Sequence, residues 1–155
     1  MDRESWPVAD ECRYLLVRAG GSCCAIPASA VRRVVRNLPY HPFPGEQPYF
    51  VGFSQFGGEP LAVLDLHTLL TGEEPRSHHG ATVILGRGSR GRRTVIGVAV
   101  DEALRVALIA DPGGTTSPGS TVEATITTLG GEPVSVLDTS VLFDHQLTGT
   151  EAPHG

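Results

Sequence analysis

The residues of this chain with the clearest potential for chemistry are two aspartates, Asp65 and Asp138, each of which ends a short apolar run. Two carboxyl groups that share one proton can activate water and protonate a leaving group, so such a pair would predict a hydrolase. Leu66-His67 follows the first aspartate and Thr139-Ser140 follows the second. The competing interpretation is that each aspartate caps a helical turn at the end of a strand.

The triplet Asp138-Thr139-Ser140 resembles the Asp-Thr-Ser/Gly signature of aspartic proteases, which are duplicated β proteins. Such an enzyme needs a hydroxyl group beside each carboxylate, and Asp65 is followed by Leu66-His67, which offers none. Neither aspartate is followed by the glycine of that signature. A structural cap therefore explains both aspartates better, so we predict no catalytic residue and keep an aspartic-protease-like hydrolase as the alternative function.

A second chemical motif is the glycine pattern GxGxxG, which residues 86–91 spell. In dinucleotide-binding proteins this pattern lies between a strand and a helix whose N-terminus meets the phosphates. Here the pattern is followed by the β-branched run Thr94–Val100, which predicts a strand. We therefore interpret residues 86–93 as the tip of a basic hairpin, able at most to contact an acidic partner, and predict no cofactor.

Histidines and cysteines give no further site. His78-His79 and the other histidines are not at metal-ligand spacing with a cysteine or carboxylate, so no metal site is predicted. Cys23 and Cys24 are adjacent, and adjacent side chains on a strand point to opposite faces. The sequence therefore predicts that these two cysteines are small buried hydrophobic residues and not a redox pair.

Composition and charge exclude several classes of protein. Of the 155 residues, 40% are hydrophobic and 19% are charged, which is ordinary for a globular domain with a real core. The net charge of −5 argues against nucleic acid as a partner, because phosphates would repel the chain. No apolar run reaches the ~18 residues of a membrane span, and the N-terminus is polar and acidic. We therefore expect a cytoplasmic protein without membrane insertion.

The chain contains one structural unit twice. Gly57–Asp65 returns as Gly130–Asp138, about 73 residues later. In each copy, two glycines suit a tight hairpin turn and a proline opens the strand that follows. The unbroken apolar run predicts a strand covered on both faces, and helical turns are predicted at Leu66–Leu70 and at Thr139–Phe143.

The surrounding segments repeat as well. A hairpin is predicted for residues 13–26, a helical turn for residues 27–30 and a strand for Val31–Arg36. Leu38–Tyr49 holds four prolines and is predicted to be an irregular surface loop. The expected fold is mostly β, with two linked, pseudo-symmetric small β-barrels and short helical turns. We place one domain at 13–147, with halves at about 13–75 and 80–147, between a flexible arm at 1–12 and a flexible tail at 148–155.

The ordered set of motifs resembles the CheW-like domain of bacterial chemotaxis coupling proteins. The set consists of Tyr14-Leu15-Leu16-Val17, Ala25–Val31, Pro44-Gly45, Val51-Gly52, Val63–Leu66 and Gly97–Asp101. The resemblance implies two five-stranded barrels like SH3 domains, packed around a shared apolar seam, and no catalytic activity. It also implies partners: the regulatory domain of a CheA-type histidine kinase, the cytoplasmic tips of chemoreceptors and other CheW-like domains.

Two departures from the family pattern bear on partner choice. Gln55-Phe56-Gly57-Gly58 stands where the family usually has Asn-Leu-Arg-Gly, so the usual arginine is absent. Arg33 stands where a glutamate is usual, which reverses a charge. Because arginine is a forked donor suited to carboxylates, these changes imply altered partner choice within a scaffold role.

The resemblance, with these departures, implies a partner-binding surface and no catalytic, cofactor or metal site. Its predicted residues are Val31, Arg33, Val34, Phe53, Gln55, Phe56, Gly57, Gly58 and Val106.

Overall fold

The computed structural model describes residues 11–42, 49–73, 80–87, 94–110, 115–116, 124–139 and 142–143. The predicted tail at 148–155 lies outside these residues, as does the predicted arm at 1–12 except for Glu11 and Cys12. These two residues already belong to the first strand, so regular structure begins before the predicted arm ends.

The described chain is built almost wholly of strands. Their bounds are β1 Glu11–Ala19, β2 Ser22–Pro27, β3 Val31–Arg36, β4 His41–Pro42, β5 Phe50–Phe56, β6 Glu59–Asp65, β7 Ala81–Arg87, β8 Thr94–Val100, β9 Glu102–Ala110, β10 Thr115–Thr116, β11 Ala124–Leu129 and β12 Glu132–Leu137. A short 3-10 helix covers Ala28–Ala30, and the α-helix α1 covers Leu66–Thr71. Thr139, Leu142 and Phe143, the described residues of the second predicted helical turn, are also helical. The prediction of a mostly β protein with short helical turns is confirmed.

The strands form two six-stranded sheets. The first sheet has the order β10-β11-β12-β2-β1-β9, and the second has the order β4-β5-β6-β8-β7-β3. The resemblance implied five strands for each barrel, and the sixth in each sheet is the two-residue strand β4 or β10. The second sheet is one continuous segment of chain, whereas the first combines the N-terminal hairpin with the C-terminal strands.

The two repeats exchange their hairpins. Each sheet takes its β1–β2 or β7–β8 hairpin from one half of the sequence and its other four strands from the other half. In each sheet the duplicated strand joins the exchanged hairpin to the other four strands. It is β6, which runs parallel to β8, in the second sheet and β12, which runs parallel to β2, in the first. The sequence predicted the duplication, but the boundaries of the repeats are not the boundaries of the sheets.

Both copies of the glycine pair form the expected hairpin tips. Gly57 and Gly130 have φ of +62° and +60°, and the glycine after each also has a positive φ, a region that favours glycine. The strand that follows in the first copy is buried from Leu61 to Asp65. Burial on both faces fits its position between β5 and β8 in the middle of the second sheet.

A shared hydrophobic core joins the two sheets. It contains Leu15, Val17, Cys24 and Ile26 from the first sheet and Leu64, Val83, Leu85, Ile96 and Val98 from the second, with Leu66 and Leu69 of α1. A second cluster, consisting of Tyr14, Leu16, Cys23, Ala25, Ile109, Val134 and Val136, belongs to the first sheet alone. The apolar seam implied by the family resemblance is therefore present.

Helix α1 follows β6 as predicted and ends at Gly72, whose φ is +80°. Asp65 holds the N-cap position with an extended backbone, but its carboxylate makes no hydrogen bond to a backbone N–H of the helix. Instead, the Thr68 hydroxyl donates to Asp65 Oδ2 over 2.7 Å. The prediction that the Asp65 side chain caps the helix backbone is thus wrong, and Asp65 pairs with the side chain of Thr68 instead. Within the described ranges, no helix is both long enough and apolar enough to cross a bilayer.

The proline-rich segment is less irregular than predicted. His41 and Pro42 form β4, which pairs with Phe53 and Gly52 of β5, so part of this segment is a sheet edge. Proline is tolerated on an edge strand because its missing N–H can face away from the ladder. Residues 43–48 lie outside the described residues.

The β1–β2 turn contacts the second half of the chain. The backbone N–H of Gly20 donates to Asp101 Oδ2 over 3.0 Å, and the Asp101 N–H donates to the Arg18 carbonyl over 2.8 Å. Gly20 has φ of +68°, and a Cβ placed on it would clash with the imidazole ring of His67. This turn therefore needs glycine both for its backbone conformation and for the approach of α1.

Replacing Gly20 with alanine is expected to lower the free energy of unfolding by about 2 kcal/mol, from the left-handed backbone and the displaced His67 ring. Gly130→Ala is the matched control, because Gly130 has a similar φ but no atom of the described part of the chain within 4 Å of its Cβ position. Urea unfolding of both variants would measure the difference. An equal loss in both would show that the contact with His67 contributes nothing.

Candidate partner-binding surface

Three of the predicted partner-binding residues lie on β3, the last strand of the second sheet. Val31 is half-buried against the shared core, whereas Arg33 and Val34 are exposed, Val34 by 38%. Val34 lies opposite Val83 in the ladder with β7. Because neighbouring side chains on a strand point to opposite faces, Arg33 and Val34 present their charge and their apolar surface on different sides of this edge.

The edge formed by β3 is strongly basic. Arg32 and Arg36 are also exposed, so this six-residue strand presents three guanidinium groups. Arg32 is held in place, because its Nη1 donates to the Ser29 carbonyl over 3.0 Å and its side chain lies against Gly86. The arginines of a free strand edge suit carboxylates of a partner and oppose pairing with another basic strand.

Five further predicted residues lie on β5 and at its tip. Phe53 and Phe56 are half-buried, Gln55 is exposed, and Gly57 and Gly58 form the exposed turn. The Phe53 ring packs edge-on against Phe50 with 5.0 Å between the ring centroids. The tip is therefore a projecting turn beside partly exposed aromatic surface.

The structure does not gather all nine predicted residues into one group. Within the second sheet, β7, β8 and β6 separate β3 from β5, and Val106 lies on β9 at the end of the first sheet. Val106 and Val34 have corresponding places, since β9 and β3 are equivalent strands of the two repeats. The predicted residues thus divide into a β3 group, a β5 group and a single residue on β9.

Sequence reasoning missed two exposed apolar residues on β9. Leu104 is 36% exposed and Leu108 is 55% exposed, and they stand on either side of Val106, which is 56% exposed. Their alternation, one apolar residue at every second position, was the signal that could have identified them.

The glycine motif at residues 86–91 does not precede a helix. Gly86 and Arg87 end β7, and β8 begins at Thr94, so the strand predicted after the motif is confirmed. Residues 88–93, the predicted basic tip, lie outside the described residues. The Arg87 guanidinium lies 4.9 Å from the centroid of the Phe143 ring, which it covers.

The two aspartates of the alternative function have different environments. Asp65 is 1% exposed and accepts the hydrogen bond from Thr68, whereas Asp138 is exposed after the end of β12. Asp65 ends a strand of the second sheet, and Asp138 follows a strand of the first. Among the described residues, no group of three or more histidine, cysteine, aspartate or glutamate side chains could hold a metal ion.

The adjacent cysteines point to opposite faces of β2, as predicted. Cys23 belongs to the second cluster and Cys24 to the shared core, and both are free thiols. The pKa of Cys24 is raised to about 12, mainly by burial and to a smaller extent by the neighbouring Cys23. Burial also raises the pKa of Cys23. Burial thus favours the neutral form of both thiols, whereas the thiolate is the form that acts as nucleophile and metal ligand.

Comparisons with known proteins agree with this fold. The family model described as "CheW-like domain" matches residues 13–147. A search of curated protein sequences gives no match. The structure is similar to the crystal structure of scaffolding protein TtCheW from Thermoanaerobacter tengcongensis, with a TM-score of 0.63 and 17% sequence identity. The match covers 82% of this chain and 88% of that chain, and at this identity it shows likeness of fold alone.

Proposed function

Because the chain belongs to the CheW-like domain family, we propose that it is a non-enzymatic scaffold of a bacterial chemosensory or motility signalling system. Its proposed partners are the regulatory domain of a CheA-type histidine kinase, the cytoplasmic tip of a chemoreceptor, or both. It acts in the cytoplasm and joins these proteins without chemistry of its own.

The observation that carries this proposal is the free edge of β3. Its only strand neighbour among the described residues is β7, and it presents Val34 between exposed arginines. A strand edge of this kind offers backbone hydrogen bonds for affinity and side chains for specificity. Val31, Arg33 and Val34 form the first part of the proposed docking surface, and the β5 tip from Phe53 to Gly58 forms the second.

The unusual residues at this surface support altered partner choice. Arg33 replaces the glutamate usual in the family and adds to the positive charge of β3, so the partner face here should be acidic. At Gly57 an arginine would find free space among the described residues, none of which has an atom within 4 Å of the Cβ position. The φ of +62° would nevertheless strain it, so glycine favours the turn at the expense of a contact.

Binding of the full chain to the regulatory domain of the CheA-type kinase from the same organism tests the proposal. We expect saturable binding by calorimetry, and we expect Val34→Asp to weaken it about tenfold or more, since it places a carboxylate in the apolar contact. Thr128→Asp is the matched control, because Thr128 is exposed on β11 in the other sheet. It should bind as the unmodified chain does.

Two outcomes would contradict the proposal. Absence of binding to any kinase or receptor fragment at high micromolar concentration would exclude the scaffold function. Binding that Val34→Asp leaves unchanged would place the docking surface elsewhere on the molecule. A change of preferred partner in Arg33→Glu would assign partner choice to that charge.

A further inference from the structure

The strand β9 is a long free edge with an apolar surface. It has nine residues, closes one end of the first sheet, and has β1 as its only strand neighbour in the described part of the chain. Four large hydrophobic side chains are exposed among the described residues, and three of them are Leu104, Val106 and Leu108 of β9. Such an edge is a template for pairing with another strand unless charges or irregular backbone prevent it.

The equivalent strand β3 shows what a protected edge looks like in the same fold. Each strand carries an extra residue where its ladder shifts register, between Val31 and Arg33 in β3 and between Ala103 and Arg105 in β9. On β3 the places that correspond to Leu104 and Leu108 are held by arginines. The register shift is thus common to the two edges, and β9 has leucines at the two places where β3 has arginines.

We propose that β9 is a self-association surface, at which β9 of a second copy pairs antiparallel with it around a two-fold axis at Val106. We choose a second copy of the chain as the partner because of the register in which the two β9 strands would pair. Val106 is the central residue of Glu102–Ala110, so this axis overlaps the whole strand with itself. A closed dimer results, because a two-fold contact uses the same edge on both copies.

This register matches every exposed apolar residue with another. Val106 lies opposite Val106 of the second copy, and Leu104 lies opposite Leu108 in both directions. Arg105 lies opposite Ala107, so no like charges face each other. A two-fold axis perpendicular to the sheet keeps each face on its own side, and centring it on Arg105 instead would oppose two guanidinium groups.

The same antiparallel pairing around a two-fold axis would be unfavourable for β3 and β3 of a second copy. Centring it on Val34, which corresponds to Val106, would place Arg32 opposite Arg36 of the second copy, and the reverse pair would repeat the repulsion. The chain therefore offers one edge for itself and one for an acidic partner. Pairing of one strand edge buries less than a stable interface needs, so the dimer should be weak and concentration-dependent.

Sedimentation of the full chain from about 5 to 500 µM tests this proposal, a range suited to a weak dimer. We expect a monomer–dimer equilibrium in which Val106→Arg raises the dissociation constant about tenfold or more. Thr128→Arg adds the same charge to another exposed position of the same sheet and should leave the constant unchanged. The double variant Leu104→Arg and Leu108→Arg copies the charges of β3 and should also remain monomeric.

A second measurement on the unmodified chain avoids dependence on how the variants fold. Amide hydrogen exchange in β9 should slow as the concentration rises, because the outward N–H groups become paired, while exchange in β3 should not change. The proposal is overturned if the chain stays monomeric at the highest concentration. It is also overturned if Val106→Arg dimerises as well as the unmodified chain, or if β9 exchange is independent of concentration.

Discussion

A fragment that contains only the first half of the sequence, residues 1–75, is expected not to fold cooperatively. Its hairpin β1–β2 belongs to the first sheet, whereas β3 to β6 belong to the second sheet, which would lack its β7–β8 hairpin. Neither sheet would be complete, and the residues of the shared core would be exposed to water. We expect a flat thermal melt by circular dichroism and little dispersion of the amide proton signals.

The matched comparison is a fragment of similar length, residues 31–100, which holds all six strands of the second sheet. It should retain more strand structure than residues 1–75, although its side of the shared core is uncovered. Mixing residues 1–75 with residues 76–155 should restore the full fold, because each fragment supplies the hairpin that the other lacks. Independent cooperative folding of residues 1–75 would contradict the hairpin exchange.

Truncation of Ile26 to alanine is expected to lower the free energy of unfolding by about 3 kcal/mol. Ile26 is 0% exposed and belongs to the shared core, where it packs among side chains of both sheets. The expected loss combines the transfer of its side chain from water and the cavity left behind. Urea unfolding followed by intrinsic fluorescence and by circular dichroism would measure it.

Ile109→Ala is the companion variant, since Ile109 is 5% exposed and lies in the cluster that belongs to the first sheet alone. If the exchanged hairpins make the domain one cooperative unit, both variants should shift a single transition that the two probes report together. Separate transitions in the Ile109→Ala variant would show instead that the two sheets unfold independently.

Local patterns predicted the elements of this fold well because each depends on neighbouring residues. The glycine pairs at Gly57 and Gly130 indicate hairpin tips through their backbone preference, and the apolar runs after them indicate buried strands. The exchange of hairpins was not predictable in this way. Whether β2 pairs with β6 or with β12 is decided by contacts between distant parts of the chain, and both alternatives satisfy the same alternation of residues.

The candidate surface was predictable to the extent that it lies on single strands. The alternation of valine and arginine in β3 indicated an edge with a basic side, and the structure places Arg33 and Val34 at such an edge. The sequence could not show that three strands would lie between β3 and Phe53 on β5. Leu104 and Leu108 were missed because their alternation indicates a strand face but not whether another strand covers it, which contacts between distant parts of the chain decide.

Between its described strands the chain crosses from one sheet to the other twice, once before Val31 and once after Val100, and the first and last of these strands, β1 and β12, both belong to the first sheet. The second sheet is therefore held at both ends by the first, and no single flexible connection joins two bodies. A rotation of one sheet against the other would have to open the common core. The edges at β3 and β9 are thus expected to keep a constant distance and angle. The spacing of partners bound at these two edges would therefore be set by the rigid folded domain and not by a flexible linker.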